Sequence, residues 1–256
     1  MFSINKSKQR CTKYRKTILD LSQKVSALHI GGAFSCVEIL DTLYNNLITK
    51  NDKFILSKGH TAIIQYVILK YKNYLSKKDL ENFCTKKGIL GVHPDYGTPG
   101  IEASTGSLGH GLGIAAGLAL GNNKNYVYVV MSDGELMEGS TWEMALSIAA
   151  LKINNIILII DNNDLQSATK SKDTHPNLYP IDKKFKSFGW QVLNCNGHKV
   201  NEIYKKIKLK KKNKPFVLVA KTIKGYPVSF MMNQPLWHYR TPNKHEYKNA
   251  LKEIKK

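Results

Sequence analysis

Residues 126–135, YVYVVMSDGE, run from six apolar or aromatic positions straight into a serine, an aspartate and a glycine. A second stretch of the same kind, NIILIIDNND, occupies residues 155–164. The residues between them, STWEMALSIAALK, have helical spacing of their apolar side chains. Continuous β-rich runs separated by a helix are typical of parallel strands buried on both faces. The two stretches therefore predict neighbouring parallel strands joined by a right-handed helical crossover.

The alternation of strand and helix patterns extends over most of the chain. Further helices are predicted in residues 15–28, 36–48, 61–75, 113–121, 183–189 and 200–209, and further strands in 190–195 and 216–223. This order predicts an α/β fold, a doubly wound, mostly parallel sheet with helices on both faces. We expect a single domain over residues 1–256, in which residues 225–256 form an irregular tail that packs on it and ends in a short helix.

Length, charge and cysteine content limit the classes of protein. The chain has 256 residues, four scattered cysteines and a formal net charge of +20. No apolar run approaches the roughly 20 residues that cross a membrane, and the basic N-terminus has no apolar core of a secretory signal. We expect reduced thiols, a cytoplasmic location and no membrane contact. The lysines are spread along the chain, so a nucleic-acid-binding or scaffold protein is the weaker alternative.

The ends of the two quoted strands carry groups that suit a metal ion and a phosphate. Asp133 offers a carboxylate, Asn163 an amide oxygen, and Leu165 a backbone carbonyl, which are hard ligands of the type that Mg²⁺ takes. Gly134 permits close approach of the backbone to a phosphate, and a helix beginning near Gly139 would offer free N–H groups to the same anion. Taken separately, Asp-Gly and Asn-Asn are more often ordinary turns. Their positions after successive strands favour a magnesium-diphosphate site.

The spacing of these motifs resembles a known signature. An Asp-Gly followed about thirty residues later by Asn is similar to the thiamine-diphosphate motif GDG…N. Five blocks, in order along nearly the whole chain, resemble the transketolase family in particular. These are ALHIGGAFSCVEILDTLY (27–44), DKFILSKGHTAIIQYVIL (52–69), GVHPDYGTPGIEASTGSLGHGLGIAAGLALG (91–121), SDGELMEGSTWEMALSIAALKINNIILIIDNNDLQ (132–166) and GYPVSFMMNQPLWH (225–238).

The resemblance implies a role for each matching residue. Mg²⁺, or Ca²⁺ or Mn²⁺ in its place, would be held by Asp133, Asn163 and the carbonyl of Leu165. Thiamine diphosphate would meet the N–H of Gly134 and, at its aminopyrimidine, the loop of Gly106, Ser107 and Leu108. The histidines of the substrate channel would be His29, His60, His93 and His238, of which His60 and His238 also bind the cofactor. Glu138 matches a carboxylate near the dimer interface that links two cofactor sites.

Four positions depart from the family's pattern. Ser132 replaces the first glycine of the signature, which a serine tolerates if its φ is negative. His110 stands where the family usually has Gln. Leu28 and Tyr239 replace smaller residues beside two of the channel histidines, His29 and His238. We expect both to lie near the substrate channel, which favours sugars other than the common pentose and hexose phosphates.

The resemblance also implies a partner. In the family, a second α/β domain follows this one, binds the pyrimidine and supplies the glutamate that activates the cofactor. We expect the chain to be the N-terminal subunit of a split transketolase, paired with a C-terminal subunit in a heterotetramer. The pair would transfer a two-carbon ketol unit between sugar phosphates. The alternatives are an enzyme of specialised sugar biosynthesis, an enzyme like deoxyxylulose-phosphate synthase, and the α-subunit of a 2-oxoacid dehydrogenase.

Overall fold

The computed structural model describes residues 2–167 and 169–255. Its main strands are β1 (Lys53–Leu56), β2 (Val127–Ser132), β3 (Ile156–Asn162), β6 (Gln191–Asn196) and β7 (Phe216–Lys221), and β4 (Leu165–Gln166) and β5 (Thr169–Lys170) form a small antiparallel pair. The five main strands form one parallel sheet in the spatial order β1-β2-β3-β7-β6. The predicted pairing of the two quoted strands is confirmed, since Val127 lies opposite Ile156.

Helices cover both faces of this sheet. They are α1 (Ile4–Ser22), α2 (Ile30–Ser35), α3 (Val37–Thr42), α4 (Ala62–Tyr71), α5 (Lys77–Glu81), α6 (Gly111–Gly121), α7 (Gly139–Ala150), α8 (Ser171–Thr174), α9 (Ile181–Ser187), α10 (Val200–Lys208) and α11 (Lys244–Glu253). Among the described residues, none of these helices has the length and apolarity needed to span a bilayer.

Alternate side chains of the central strands enter two separate cores. In β2, Tyr128 and Val130 join the core formed with α1, α2, α3, α4, α10 and α11. Val129 and Met131 point the other way, into the core formed with α6, α7 and α9. All six residues of β2 are buried, which is the pattern of a parallel strand covered on both sides. The predicted fold class is confirmed.

Two elements near the N-terminus differ from the predictions. The first helix spans Ile4–Ser22 rather than 15–28, and Ser3 caps it by accepting the N–H of Lys6. Its inward face includes the polar residues Ser7 and Arg15, which hid the helical period in the sequence. The second difference is β1, which is too short to show a periodic pattern. Its four residues nevertheless form an edge of the sheet.

The segment after β7 is irregular up to α11, which begins earlier than expected. Asn243 and Glu246 form a capping box, in which each side chain accepts the backbone N–H of the other residue. This reciprocal cap fixes the start of α11 at Lys244. A short 3-10 helix, Pro235–His238, lies within the irregular part and brings His238 back toward the sheet.

The carboxyl ends of four neighbouring strands meet at one edge of the sheet. Lys58 follows β1, Asp133 follows β2, Asn163 follows β3 and Thr222 follows β7. Open parallel sheets bind ligands beyond this edge. The fold therefore gathers polar residues that lie far apart in the sequence.

Candidate functional site

A cavity of about 400 Å³ lies at this edge. Its lining has polar and apolar surface in similar amounts and comes from the strand ends, the start of α2, the loop before α6 and the segment after β7. The lining residues are His29, Gly32, Lys58, His60, Gly106, Leu108, Ser132, Gly134, Met137, Glu138, Asn163, Leu165, Gln166, Ser167, Lys224 and His238. Most of the site residues predicted from the sequence are thus brought together around one cavity.

Asp133 does not line the cavity itself: it is fully buried between the lining residues Ser132 and Gly134. Its Oδ1 accepts the N–H of Gly134 at 3.0 Å, and its Oδ2 accepts the N–H of Asp164. Burial raises the pKa of Asp133 to about 7, while these N–H donors and the Lys58 ammonium act in the opposite direction. Within the described part of the chain, no cationic side chain forms an ion pair with Asp133.

Asn163 and Leu165 continue the same turn. The side-chain oxygen of Asn163 accepts the N–H of Leu165 at 3.1 Å, and the carbonyl of Leu165 accepts the ammonium of Lys224 at 3.4 Å. Asp164, between them, has a left-handed backbone with φ of 61°, which reverses the chain so that both neighbours face the site. Burial, and then the charge of Lys58, lower the pKa of Lys224 to about 8.

Lys58 and Asp161 form a buried ion pair beside this turn. Their exposed fractions are 1% and 0%. Asp161 accepts the Lys58 ammonium and the hydroxyls of Ser35 and Thr222, so three donors satisfy it. Burial alone would lower the pKa of Lys58, but the Asp161 carboxylate raises it above its usual range. The carboxylate therefore keeps Lys58 charged, and its ammonium lies in the cavity wall as the positive end of a neutral pair.

Three of the four predicted histidines form a cluster. The ring centroid of His29 lies 5.1 Å from that of His60 and 5.0 Å from that of His238. Burial, and then neighbouring positive charges and histidines, lower the pKa values of His29 to about 4 and of His238 to about 3, and that of His60 well below its usual range. These rings are neutral at physiological pH. Nζ of Lys224 lies 2.8 Å from Nδ1 of His238. Because the ammonium donates to Nδ1, the ring hydrogen of neutral His238 lies on Nε2.

His93 lies on the loop before α6, outside this ring cluster. It is exposed and stands against Gly106, where an added Cβ would lie only 2.9 Å from its ring. Gly106 also has a φ of 148°, a conformation that strongly favours glycine. Close packing of His93 against the loop therefore depends on Gly106 having no side chain.

The other predicted contacts lie at the edge of the cavity. Leu108 lines it, whereas Ser107 is exposed beside it. Glu138 is exposed, lines the cavity and occupies the N-cap position of α7. Leu28, one of the unusual positions, is 1% exposed and packs in the hydrophobic core, so its side chain does not line the cavity.

Four lining or supporting residues were missed as individual candidates in the sequence. Lys58, Lys224, Glu135 and Gln166 each lie inside one of the blocks quoted above or directly before it. Glu135 is fully buried and accepts the Ser57 hydroxyl, the N–H of Gly109 and the N–H of Ser132. It therefore ties the end of β1, the loop before α6 and the end of β2 together. The feature of the sequence that could have indicated this role of Glu135 is an acidic residue two positions after Asp133.

The donors present fit a diphosphate bound through a magnesium ion. In residues 2–167 and 169–255, no group of three or more His, Cys, Asp or Glu side chains is arranged to hold a metal. A metal here would use one carboxylate, one amide oxygen and one carbonyl, as Mg²⁺ does when phosphate and water complete its shell. Buried Nδ1 of His29 has no hydrogen-bond partner among the described residues, so the site holds polar capacity that a ligand would use.

Comparison with protein families gives one match over nearly the whole chain. Residues 7–253 match the family described as "Transketolase, thiamine diphosphate binding domain". The geometry of the strand-end turn and the family match thus point to the same class of cofactor.

Individual relatives agree with the family match. The chain is 35% identical to one subunit of the apulose-4-phosphate transketolase of Phocaeicola vulgatus, covering 94% of this chain and 91% of that protein. It is 31% identical to a 6-deoxy-6-sulfo-D-fructose transketolase subunit of Clostridium sp., with 94% of each chain covered. Among solved structures, transketolase from Campylobacter jejuni superposes with a TM-score of 0.92 at 27% identity. That match covers 99% of this chain but only 43% of the longer one.

Proposed function

Because the chain belongs to the transketolase family and contains its thiamine-diphosphate-binding domain, we propose that it transfers a two-carbon ketol unit between sugar phosphates. The C2–C3 bond of a ketose phosphate breaks, and its first two carbons join the aldehyde carbon of an aldose phosphate. The ketose leaves as an aldose shorter by two carbons. When bound, thiamine diphosphate supplies the carbanion stabilisation that this exchange requires.

The observation that carries this proposal is the environment of Asp133. A fully buried carboxylate that receives only backbone N–H groups at close range is costly unless a cation completes the site. Asn163 and the Leu165 carbonyl lie on the same turn and would hold Mg²⁺ with it. Lys58 and Lys224 would add positive charge on the side where a diphosphate approaches.

The histidine cluster would act on the sugar. Since burial keeps His29, His60 and His238 neutral, each ring has one donor and one acceptor nitrogen for the hydroxyls of a substrate. Neutral imidazoles also avoid repelling the two lysines. His93, beside Gly106, would contact the substrate or cofactor from the loop before α6.

A second chain would complete the site. Three relatives of matching length are named as subunits of a transketolase, which supports a partner that carries the pyrimidine-binding domain and the activating glutamate. Of this chain's own glutamates near the cavity, Glu135 is already bonded to three donors and Glu138 is exposed at the rim. Glu138 would then face the second half of a heterotetramer.

The substrates would be small anionic sugars. The two relatives of similar length are named for apulose-4-phosphate and for a sulfonated fructose, both of which carry an anionic group. These names favour an enzyme of specialised sugar metabolism over one restricted to common pentose and hexose phosphates. The net charge of +20 would attract such substrates, without any need for nucleic acid.

The decisive experiment compares the purified chain, its partner chain and their mixture. We expect weak binding of thiamine diphosphate and no ketol transfer by this chain alone, and turnover on mixing. Full activity of this chain by itself would contradict the two-chain proposal.

The metal assignment has a separate test. Asp133→Ala should abolish Mg²⁺-dependent binding of thiamine diphosphate, because a hard ligand and its charge are removed. Isothermal titration with and without Mg²⁺ measures this, and Glu143→Ala, an exposed change on α7, is the matched control. Equal affinity in the Asp133 variant and the wild type would refute the assignment.

A further inference from the structure

The ring of Tyr239 contacts the histidine cluster, although Tyr239 does not itself line the cavity. Its ring centroid lies 4.6 Å from that of His29, with an interplanar angle of 42°. It directly follows His238, at the end of the short helix Pro235–His238. Tyr239 is 54% exposed, whereas His29 lines the cavity. The tyrosine ring therefore stands at the outer edge of His29, where the cavity wall meets solvent.

The backbone on both sides of Tyr239 is held in place. His29 and Arg240 form a parallel bridge, so the two backbones run side by side. The guanidinium of Arg240 lies 4.1 Å above the ring of Trp237, which is buried. Arg240 also donates to both carboxylate oxygens of Glu246, at 2.9 and 2.8 Å.

These contacts fix the position of the backbone from which the phenol ring projects. Nη2 of Arg240 donates to both carboxylate oxygens, and the guanidinium also stacks on Trp237, so Arg240 is held by two kinds of contact. Glu246 is itself fixed, because it caps α11 together with Asn243. The backbone at Tyr239 is thus held beside His29, and the tyrosine ring, which packs against His29, extends the wall that His29 begins.

We propose that Tyr239 is a specificity-determining residue that limits the length of the aldose phosphate accepted by the site. This inference rests on the proposed function. A substrate that reaches the three histidines from solvent passes the exposed face of Tyr239. A three-carbon acceptor ends before this ring, whereas the far carbons of a five-carbon acceptor meet it.

The test measures acceptor selectivity of the reconstituted pair of chains. Hydroxypyruvate serves as donor: its bond to the carboxylate carbon breaks, CO₂ is released, one proton is taken up, and the remaining two carbons join the acceptor aldehyde. The ratio of kcat/KM for D-glyceraldehyde 3-phosphate to that for D-ribose 5-phosphate is compared among wild type, Tyr239→Ala and Tyr239→Phe. We expect the alanine variant to lower this ratio about tenfold, mainly through faster use of ribose 5-phosphate.

The phenylalanine variant should keep the wild-type ratio, because it retains the ring. Leu236→Ala is the matched control: Leu236 is exposed on the same short helix and lies outside the cavity lining. Its ratio should equal that of wild type. A ratio in Tyr239→Ala within twofold of wild type, in a pair that transfers ketol units, would overturn the inference and leave the proposed function intact.

Three further outcomes count against the inference. If the wild-type pair transfers ketol units to no acceptor, the proposed function fails and the inference falls with it. If Tyr239→Ala weakens association of the two chains, measured by sedimentation, the ring is a partner contact and its proposed role in selectivity is wrong. A phenylalanine variant that behaves like alanine would assign the effect to the hydroxyl and contradict a limit set by the ring.

Discussion

Asp161 and Asp133 lie at the ends of adjacent strands and are equally buried. The two carboxylates differ in the hydrogen-bond donors that surround them. Asp161 has an ammonium and two hydroxyls within hydrogen-bond distance. Asp133 has two backbone N–H groups, and the hydroxyl of Tyr179 at 3.5 Å. Side chains of the protein therefore neutralise and hydrogen-bond the Asp161 carboxylate. The Asp133 carboxylate has no cationic side chain bonded to it among the described residues. This difference is what the proposed function uses, with Asp161 as a structural carboxylate and Asp133 as a ligand of the metal.

The largest effect on folding stability should come from removing one partner of the buried ion pair between Lys58 and Asp161. Asp161→Ala leaves the Lys58 ammonium buried without its carboxylate, and loss of one partner of a buried ion pair costs about 3–5 kcal/mol of folding free energy. Urea unfolding of the metal-free chain would measure the loss. The double variant Asp161→Ala with Lys58→Met should recover part of it, because no charge is then left buried. Equal losses in the single and double variants would contradict the role of the unpaired charge.

At Asp133, by contrast, removing the carboxylate charge is expected to stabilise the metal-free chain. Its pKa in the folded chain is about 7, against an ordinary value of 3.8. Between these values the folded state retains a proton that the unfolded state releases, so the stability of the metal-free chain falls as pH rises toward 7. Asp133→Asn removes this dependence. At about pH 8 the variant should be more stable than wild type by on the order of 2 kcal/mol.

Urea unfolding in a chelator at about pH 5 and about pH 8 checks this prediction. The difference between variant and wild type should grow with pH, since other titrating groups cancel in the comparison. Added Mg²⁺ should stabilise wild type and leave the variant nearly unchanged. A difference independent of pH would show that Asp133 is ionised without cost, and the contrast with Asp161 would then be wrong.

The sequence predicted the fold well because the signals for it were local. The run from Val127 to Ser132 is buried throughout, and a continuous run of that composition is typical of a parallel strand covered on both faces. By contrast, β1 has only four residues, and the inward polar residues Ser7 and Arg15 concealed the start of α1. Arg15 is buried because Glu38, on α3, pairs with it, and no local pattern contains that information.

The site was predictable in part for the same reason. Asp133 and Asn163 were identifiable because each directly follows a strong strand pattern. Lys58 and Lys224 were not, because a lysine is normally exposed and only the folded structure shows that both are buried here. The contact between Tyr239 and His29 joins residues more than 200 positions apart, so it too depends on the three-dimensional structure.

A smaller effect is expected when one donor is removed from Asp161. Thr222→Val keeps the shape of the side chain but deletes the hydroxyl that donates to Oδ1 of Asp161. Hydrogen bonds to charged groups contribute about 1.5–3 kcal/mol, so a loss in this range is expected in urea unfolding. Thr17→Val is the control, because Thr17 is half-buried on α1 and its hydroxyl donates to the neutral carbonyl of Lys13 rather than to a carboxylate. No loss at Thr222 would indicate that Lys58 and Ser35 alone satisfy the carboxylate.

The smallest effect should follow the equivalent deletion beside Asp133. Tyr179→Phe removes a hydroxyl that lies 3.5 Å from Oδ2 of Asp133 and donates to Asp164 at 3.1 Å. A contact of 3.5 Å contributes little as a hydrogen bond, and the bond to Asp164 is weakened by solvent because that carboxylate is partly exposed. The stability of the metal-free chain should therefore fall by less than about 1 kcal/mol. Since Asp164 shapes the turn that presents Asn163 and Leu165, the affinity for Mg²⁺ should fall by more than stability alone predicts. Magnesium titration followed by the midpoint of thermal unfolding measures both quantities in one experiment. A loss of stability as large as that of Thr222→Val would mean that both carboxylates depend equally on neighbouring hydroxyls, and the distinction between them would not hold.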